Sequence, residues 1–406
     1  MPNVFKKARL FLSLALLGLC LAGCFNWSAR ATNKVPKTTA LDKTYKYDGK
    51  VIIIGAGAAG LAAAKVLQLN SIDYEILEAT ERYGGRIKKD SLLADFPIDV
   101  GAEWIHSNPV VLNILKGKKG NEIDEELIPY HLVDAYSWDG LEYEKVSKSK
   151  LDFDYNFMPE SKFKKSTWYD YIEKNIANKV KHKLKFSSAV TEIDYSKNKV
   201  IITTENGKSH KADKVLVTVS IGVLKSNKIK FIPELSQEKK ESIESVSFLP
   251  GFKLIMKFDE KFYPDAINCN TTSGEKVYYD IAFKKETKTN ILGLLVTGNS
   301  TKKYYVYETE EKIVESAITE LDAIFNGKAS ESFSGEYIIE NWGQHNFTMG
   351  TWTQAFQEKN RNLKILNQPI NKKIYFAGEI NDIYNQMGVP GAVLSGFNSI
   401  DKLMTD

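Results

Sequence analysis

The chain predicts an α/β fold built on a parallel sheet, and three observations carry that prediction. The first is the run "VIIIGAGAAGLAAAKVLQ": four β-favouring residues, Val51 to Ile54, stand directly before three glycines and an alanine-rich, helix-forming segment. The second is another short apolar run, Tyr74 to Leu77, which ends at Glu78, eighteen residues beyond the last of those glycines. Strand, helix and strand in that order make a βαβ unit. The third is composition. A chain of 406 residues with 43% hydrophobic and 26% charged content is globular and long enough for two domains, which excludes disordered and fibrous classes.

In chain order, the first segment reads as an address rather than as part of the fold. Lys6, Lys7 and Arg9 precede the apolar run Leu10 to Leu19, and "LAGC" follows at Leu21 to Cys24. So short a run, with small residues before a cysteine, reads as a signal peptide over residues 1–23 and not as a spanning helix. It resembles a bacterial lipobox, which implies an exported protein lipid-anchored through Cys24 to a membrane of the cell envelope. No twin arginine is present, so Sec-type export is expected. Loss of the segment removes three of the charges behind the formal +4, and nothing then points to nucleic acid. With Cys20 removed and Cys24 acylated, Cys269 is left alone and a disulfide framework is impossible. Residues 24–46 read as a polar tether, and folded sequence is expected from Tyr47.

The glycine run has a physical logic. Gly55 makes the tight turn, Gly57 lets backbone approach a pyrophosphate, and Gly60 lets the helix pack on the strand. The helix start at Ala58 and Ala59 turns its positive end to the phosphates. Glu78 is placed to accept from a ribose diol. Just beyond it, "EATERYGGRI" supplies Ala79, Gly85 and Arg86, whose backbone and guanidinium reach the same pyrophosphate. Near the other end, "IYFAGE" reads as a buried strand leading to Gly378 and Glu379. Pro390 then opens a helix with Gly391, Ala392, Ser395 and Gly396 at close-packing spacing. The five histidines are scattered, and no metal constellation emerges.

Two lysine-bearing stretches read as ordinary strands. "KVKHKLKF", Lys179 to Phe186, alternates strictly and predicts a strand with its lysines in water. In "GFKLIMKFDEKFYP", Gly251 to Pro264, alternation puts Phe252, Leu254, Met256 and Phe258 on one face and Lys253, Ile255 and Lys257 on the other. On pattern alone the second face is solvent. Residues from about 110 to 186 mix helical and irregular signals and allow no assignment.

Taken together, the blocks resemble the flavin-dependent amine oxidases, the family of monoamine and polyamine oxidases and lysine-specific histone demethylases. The resemblance spans nearly everything after Lys46. Besides the segments above it rests on "DVGAEWIHS" (Asp99 to Ser107), "VTEIDY" (Val190 to Tyr195), "KVLVTVSIGVLKS" (Lys214 to Ser226), "NWGQHNFTMGTW" (Asn341 to Trp352) and "GVPGAVLSG" (Gly388 to Gly396). It is nearest in motif to polyamine oxidases. It implies a Rossmann-like FAD-binding domain (47–110, 187–232 and 345–406) interleaved with an α+β substrate domain containing a mixed sheet (111–186 and 233–344).

The same resemblance implies roles. Gly101, Ala102, Glu103 and Trp104 lie over the flavin, and the Val190 backbone holds adenine. Gly378, Glu379, Gly388, Val389 and Ala392 close the FAD site, with the helix start near Val389 facing the flavin N1 and C2 carbonyl. Lys253 reaches flavin N5 through a water, His106 lines the substrate tunnel and Trp352 forms one wall of an aromatic cage. The implied reaction moves a hydride from the carbon beside a neutral amine to N5. Imine hydrolysis follows, and dioxygen reoxidises the flavin with release of hydrogen peroxide.

Departures from the family pattern sharpen the expectation. Gly388 replaces the second cage aromatic, for which Tyr384 is a nearby substitute, and Thr351 stands where monoamine oxidases attach flavin through cysteine, so FAD is expected to be non-covalent. "GAEWIH" lacks the carboxylate-clamping arginine of L-amino-acid oxidases, which favours an amine without a carboxylate, plausibly a polyamine. A non-catalytic flavoprotein, an L-amino-acid oxidase and a flavin desaturase or porphyrinogen oxidase remain as alternatives.

Overall fold

The computed structural model describes residues 40–353, 361–382 and 388–406. The expected signal peptide, Cys24, most of the tether and Tyr384 lie outside the described residues. In chain order the framework consists of β1 (Val51–Ile54), α1 (Ala58–Leu69), β2 (Tyr74–Leu77), β3 (Val190–Asp194), β4 (Lys214–Val217), β5 (Gly251–Phe258), β6 (Lys276–Asp280), β7 (Asn290–Thr297), α2 (Glu310–Phe325), β8 (Phe333–Glu340), β9 (Ile374–Phe376) and α3 (Val389–Thr405). Among the described residues, no helix is long and apolar enough to cross a membrane.

A five-stranded sheet runs β9, β4, β1, β2 and Leu184–Lys185, with every pairing parallel. Its unbroken apolar strands follow from burial on both faces. Val51 and Ile53 pack with α1 and α3, whereas Ile52 and Ile54 pack against β3 and its neighbours. The two helices approach almost to backbone contact, and glycine is required there. A Cβ at Gly396 would lie 2.2 Å from the Ala59 carbonyl oxygen, and one at Gly60 2.0 Å from that of Gly55. Two helical pieces from the stretch that resisted assignment, Val111–Lys116 and Trp168–Val180, add Leu112, Leu115, Trp168, Ile176 and Val180 to the same layer.

The expected strand at Lys179 to Phe186 is a correction. Helix continues through Asn178–Val180 and a 3-10 turn at Lys181–Lys183, and Leu184–Lys185 alone joins the sheet. Val180 and Leu184 sit four apart, so the spacing that serves alternation also serves a helix facing the α1 core. Lys179, Lys181 and Lys185 do face water.

A seven-stranded sheet has the order β8, β5, β7, β6, Ala266–Cys269, Ala135–Trp138 and Tyr143–Lys145. It is mixed, since Ala266–Cys269 and Ala135–Trp138 run parallel while the other pairs are antiparallel. The alternation of β5 holds: Phe252, Leu254 and Met256 pack with Ile313, Val314, Ala317 and Leu321 of α2. Its second face is not solvent. Ile255 is fully buried among Tyr279, Ile291 and Leu295, and Lys253 is 2% exposed. The segment Asp99–Trp104 covers that face at Lys253, while Lys257 lies beyond the cover and pairs with Glu336 at 2.6 Å.

Candidate active site

A cavity of about 850 Å³ extends from the turn after β1 to the covered face of β5. One end is made of backbone. Gly55 turns the chain at φ +103°, a conformation that suits glycine. Gly57 caps α1 without a side-chain hydrogen bond, and a Cβ built there meets nothing within 4 Å, so this point of the cradle is bare backbone. The first amides of the helix therefore face the cavity. Glu78 closes the turn: its Oε2 accepts from Ala56 N at 2.7 Å, and its Oε1 accepts from Thr80 N at 2.9 Å and Thr80 Oγ1 at 2.8 Å. The backbone again comes close where Gly101 crosses Arg86, since a Cβ there would fall 1.8 Å from the Arg86 carbonyl oxygen. Arg86 donates to Glu379 Oε1 at 2.9 Å and to the Thr351 carbonyl, and lies over the Phe248 ring.

The structure brings the predicted cofactor residues to one place. Gly55, Gly57, Ala58, Ala59, Glu78, Ala79, Gly85, Arg86, Gly101, Ala102, Glu103, Trp104, Val190, Gly378, Glu379, Gly388, Val389 and Ala392 all line the cavity, as do His106, Lys253 and Trp352. Gly60 stands behind it, in the packing of α1. A dinucleotide fits this arrangement, because a bare helix N-terminus and a ribose-type carboxylate open onto the same space. The free cysteine of the described residues, Cys269, does not line it, and Thr351 Oγ1 is engaged with the Leu249 carbonyl. Among the described residues no cluster suited to a metal is present.

At the β5 end the wall is made of buried charge. Lys253 Nζ donates to the carbonyl oxygens of Asp99 and Gly101, each at 3.0 Å, and to Glu103 Oε2 at 2.9 Å. Glu103 also accepts from the Tyr279 hydroxyl at 2.7 Å, and its Oε1 lies 2.6 Å from Lys162 Nζ. Burial pushes the Glu103 carboxyl up, but the two lysines outweigh it and hold it at about 2. Burial, with the Glu103 charge added, drives Tyr130 and Tyr279 well above the usual phenol range.

His106, Glu160 and Glu275 form another polar part of the wall, and Trp104 and Tyr130 line the same cavity. His106 Nδ1 is 2.5 Å from Glu160 Oε1. Burial acts to lower the imidazole, yet the Glu160 carboxylate raises it above its ordinary range. Glu275 is pushed up by burial and then by the like charge of Glu160.

Sequence reading missed Lys162, Tyr130, Tyr279, Glu160 and Glu275. None belongs to a local motif; each reaches the site from a stretch without a chemical signature.

Comparison with known proteins places this geometry. Residues 58–167 and 161–401 match the profile of the family described as "Flavin containing amine oxidoreductase". Polyamine oxidase 3 of Oryza sativa subsp. japonica is 25% identical over 86% of this chain and 88% of its own length. Lysine-specific histone demethylase 1 homolog 3 of Arabidopsis thaliana is 24% identical over 87% of this chain but 30% of that longer protein. The fold is shared with cyclohexylamine oxidase from Brevibacterium oxydans IH-35A, at a TM-score of 0.72 and 16% identity, covering 88% of this chain and 99% of that one.

Proposed function

We propose, for a chain that belongs to the flavin containing amine oxidoreductase family and is therefore an FAD-dependent amine oxidoreductase, that its substrate is a polyamine or another amine lacking a carboxylate. The observation that carries this reading is the pair of carboxylates, Glu160 and Glu275, which line the cavity together with the Trp104 and Tyr130 rings. Such a wall suits a second ammonium group and repels a substrate carboxylate. The two arginines that line the cavity are already committed, Arg86 to Glu379 and Arg82 to the carbonyls of Gly85 and Ile87.

When bound, non-covalently, FAD would supply the redox chemistry, with its N5 as the acceptor of a hydride equivalent from the carbon beside the reacting nitrogen. The chain's own residues bind and orient. The α1 start, Gly57 and Arg86 would take the pyrophosphate, Glu78 a ribose, Val190 the adenine, and Glu379 the ribityl or ribose hydroxyls. The start of α3 at Val389 lines the cavity and would present its positive end to the bound ring. Lys253 presents fixed positive charge, Trp352, Trp104 and Tyr130 exclude water, and His106 lines the approach of the amine. Hydrolysis of the imine then releases a carbonyl compound and an amine, and dioxygen takes the electrons as hydrogen peroxide.

In this reading residues 47–110, 187–232 and 345–406 hold the cofactor and 111–186 with 233–344 hold the substrate. The lipobox-like "LAGC" supports export and anchoring at Cys24. The test is peroxide release with a panel of a triamine, a simple monoamine and an L-amino acid. The triamine is expected to give the highest kcat/KM. Preference for the amino acid would overturn the substrate class, and turnover only with an artificial acceptor would make the protein a dehydrogenase.

A further inference from the structure

Lys162 is a buried cation that no step above uses. Its side chain is 3% exposed, it does not line the cavity, and its ammonium lies 5.4 to 5.8 Å from the ring centroids of Trp104, Tyr130 and Tyr279. Its hydrogen-bond partners are Glu103 Oε1 and, at 3.5 Å, the Ile281 carbonyl. Burying an ammonium is expensive, and apolar residues of similar volume commonly replace buried ion pairs without loss of stability. The chain nonetheless spends two lysines on one carboxylate.

Donor counting explains the arrangement. An ammonium has three N–H groups and no acceptor, and Lys253 directs all three to protein: Asp99 O, Gly101 O and Glu103 Oε2. No N–H is left over for a water unless one of those bonds gives way, so Lys253 acts on the cavity chiefly as fixed charge. That charge must be counted over the groups in contact. Lys253 with Glu103 alone is a neutral pair; adding Lys162 returns one net positive charge to the wall. Burial and the Glu103 charge push the Asp99 carboxyl well above its ordinary range, which lessens the negative charge it adds. Lys285 is bonded to the carbonyls of Phe163 and Lys164 rather than to these groups, although its charge also bears on Glu103 and Asp99.

We propose that Lys162 is a positioning residue that acts through Glu103: it neutralises this carboxylate so that the cavity wall keeps one net positive charge where the flavin ring binds. The proposal rests on the flavin reading of the cavity but not on any amine being oxidised. Positive charge beside the ring favours the anionic forms of flavin, and sulfite, whose lone pair adds to N5 of oxidised flavin to give an anionic adduct, reads that charge directly.

The experiment titrates FAD-loaded protein with sulfite and follows loss of the flavin absorbance. Lys162→Met, which leaves a neutral Lys253–Glu103 pair, is expected to weaken sulfite binding about tenfold. The double variant Glu103→Gln with Lys162→Met removes carboxylate and lysine together and restores the net charge, with Lys253 still hydrogen-bonded to the Asp99 and Gly101 carbonyls, so it is expected within about threefold of the parent. Equal affinity in Lys162→Met and parent would overturn the proposal. So would a loss that the double variant shares, which would make Lys162 merely structural. A protein that holds FAD and binds sulfite as expected but oxidises no amine would contradict the proposed function while supporting this charge count.

Discussion

The two ends of the cavity are built by opposite means. Around Gly55 to Gly60 and Glu78 the site is backbone, and its groups lie within one βαβ unit: strand, turn, helix start and the carboxylate of the next strand. At the β5 end it is side chain, and its groups come from four separate stretches: Lys253 on β5, Glu103 and Asp99 in the covering segment, Lys162 in the strand Ser161–Phe163, and Tyr279 on β6. A backbone site tolerates no side chain where the ligand's phosphates pass, so its specification is steric. In a buried-charge site each group's effect depends on the charges it touches, so its specification is electrostatic and shared.

Substitutions should separate the two ends. The largest effect is expected at Lys253. Lys253→Met should slow flavin reduction or reoxidation by about a hundredfold or more while FAD stays bound, and stopped-flow measurement of both half-reactions checks it. If neither half-reaction changed, the assignment of that lysine would fail.

Next come two glycines only three residues apart. Gly57→Leu enters open cavity and should give a folded protein with FAD affinity at least about tenfold weaker, a loss of roughly 1.4 kcal/mol. Gly60→Ala drives a Cβ into the Gly55 carbonyl oxygen at 2.0 Å and should lower the melting temperature of the apoprotein itself. Equal loss of stability in both variants would mean that Gly57 is structural too.

A smaller effect is expected where the wall meets substrate. Glu275→Gln should raise KM for a triamine about tenfold and leave KM for a monoamine unchanged. Because burial and Glu160 raise the Glu275 carboxyl, its charge is lost earlier than usual as pH falls, so triamine KM should climb towards acid before monoamine KM does. Parallel pH profiles for the two substrates would break the argument.

The smallest concerns stability in acid. The Glu103 carboxyl is held at about 2 against an ordinary 4.5, so its contribution to folding is present above 4.5 and disappears as pH falls through 2. The double variant without Glu103 and Lys162 should therefore lose less stability than the parent between those values, as denaturant melts at several pH values would show.

The same contrast explains what the sequence made legible. β1, α1 and β2 lie where the local pattern puts them, because glycine spacing, β-branched runs and helix formers act over a few residues. The family resemblance found Lys253, whereas alternation put it in water: period two sorts faces but does not say what covers them. Lys162 was invisible because its meaning depends on Glu103, 59 residues away in sequence, and Tyr279 is 176 residues from the same carboxylate. Lys179 to Lys185 misled for the reverse reason, since a pattern that fits two elements was settled by packing on α1.

The most direct test of the account is anaerobic mixing of the FAD-loaded protein with a triamine. Bleaching of the flavin absorbance, with the yellow cofactor later released into solution when the protein is denatured, is the predicted result. An unchanged spectrum with the triamine, with monoamines and with amino acids would contradict it, and the cavity would then be that of a flavin-binding protein without amine turnover.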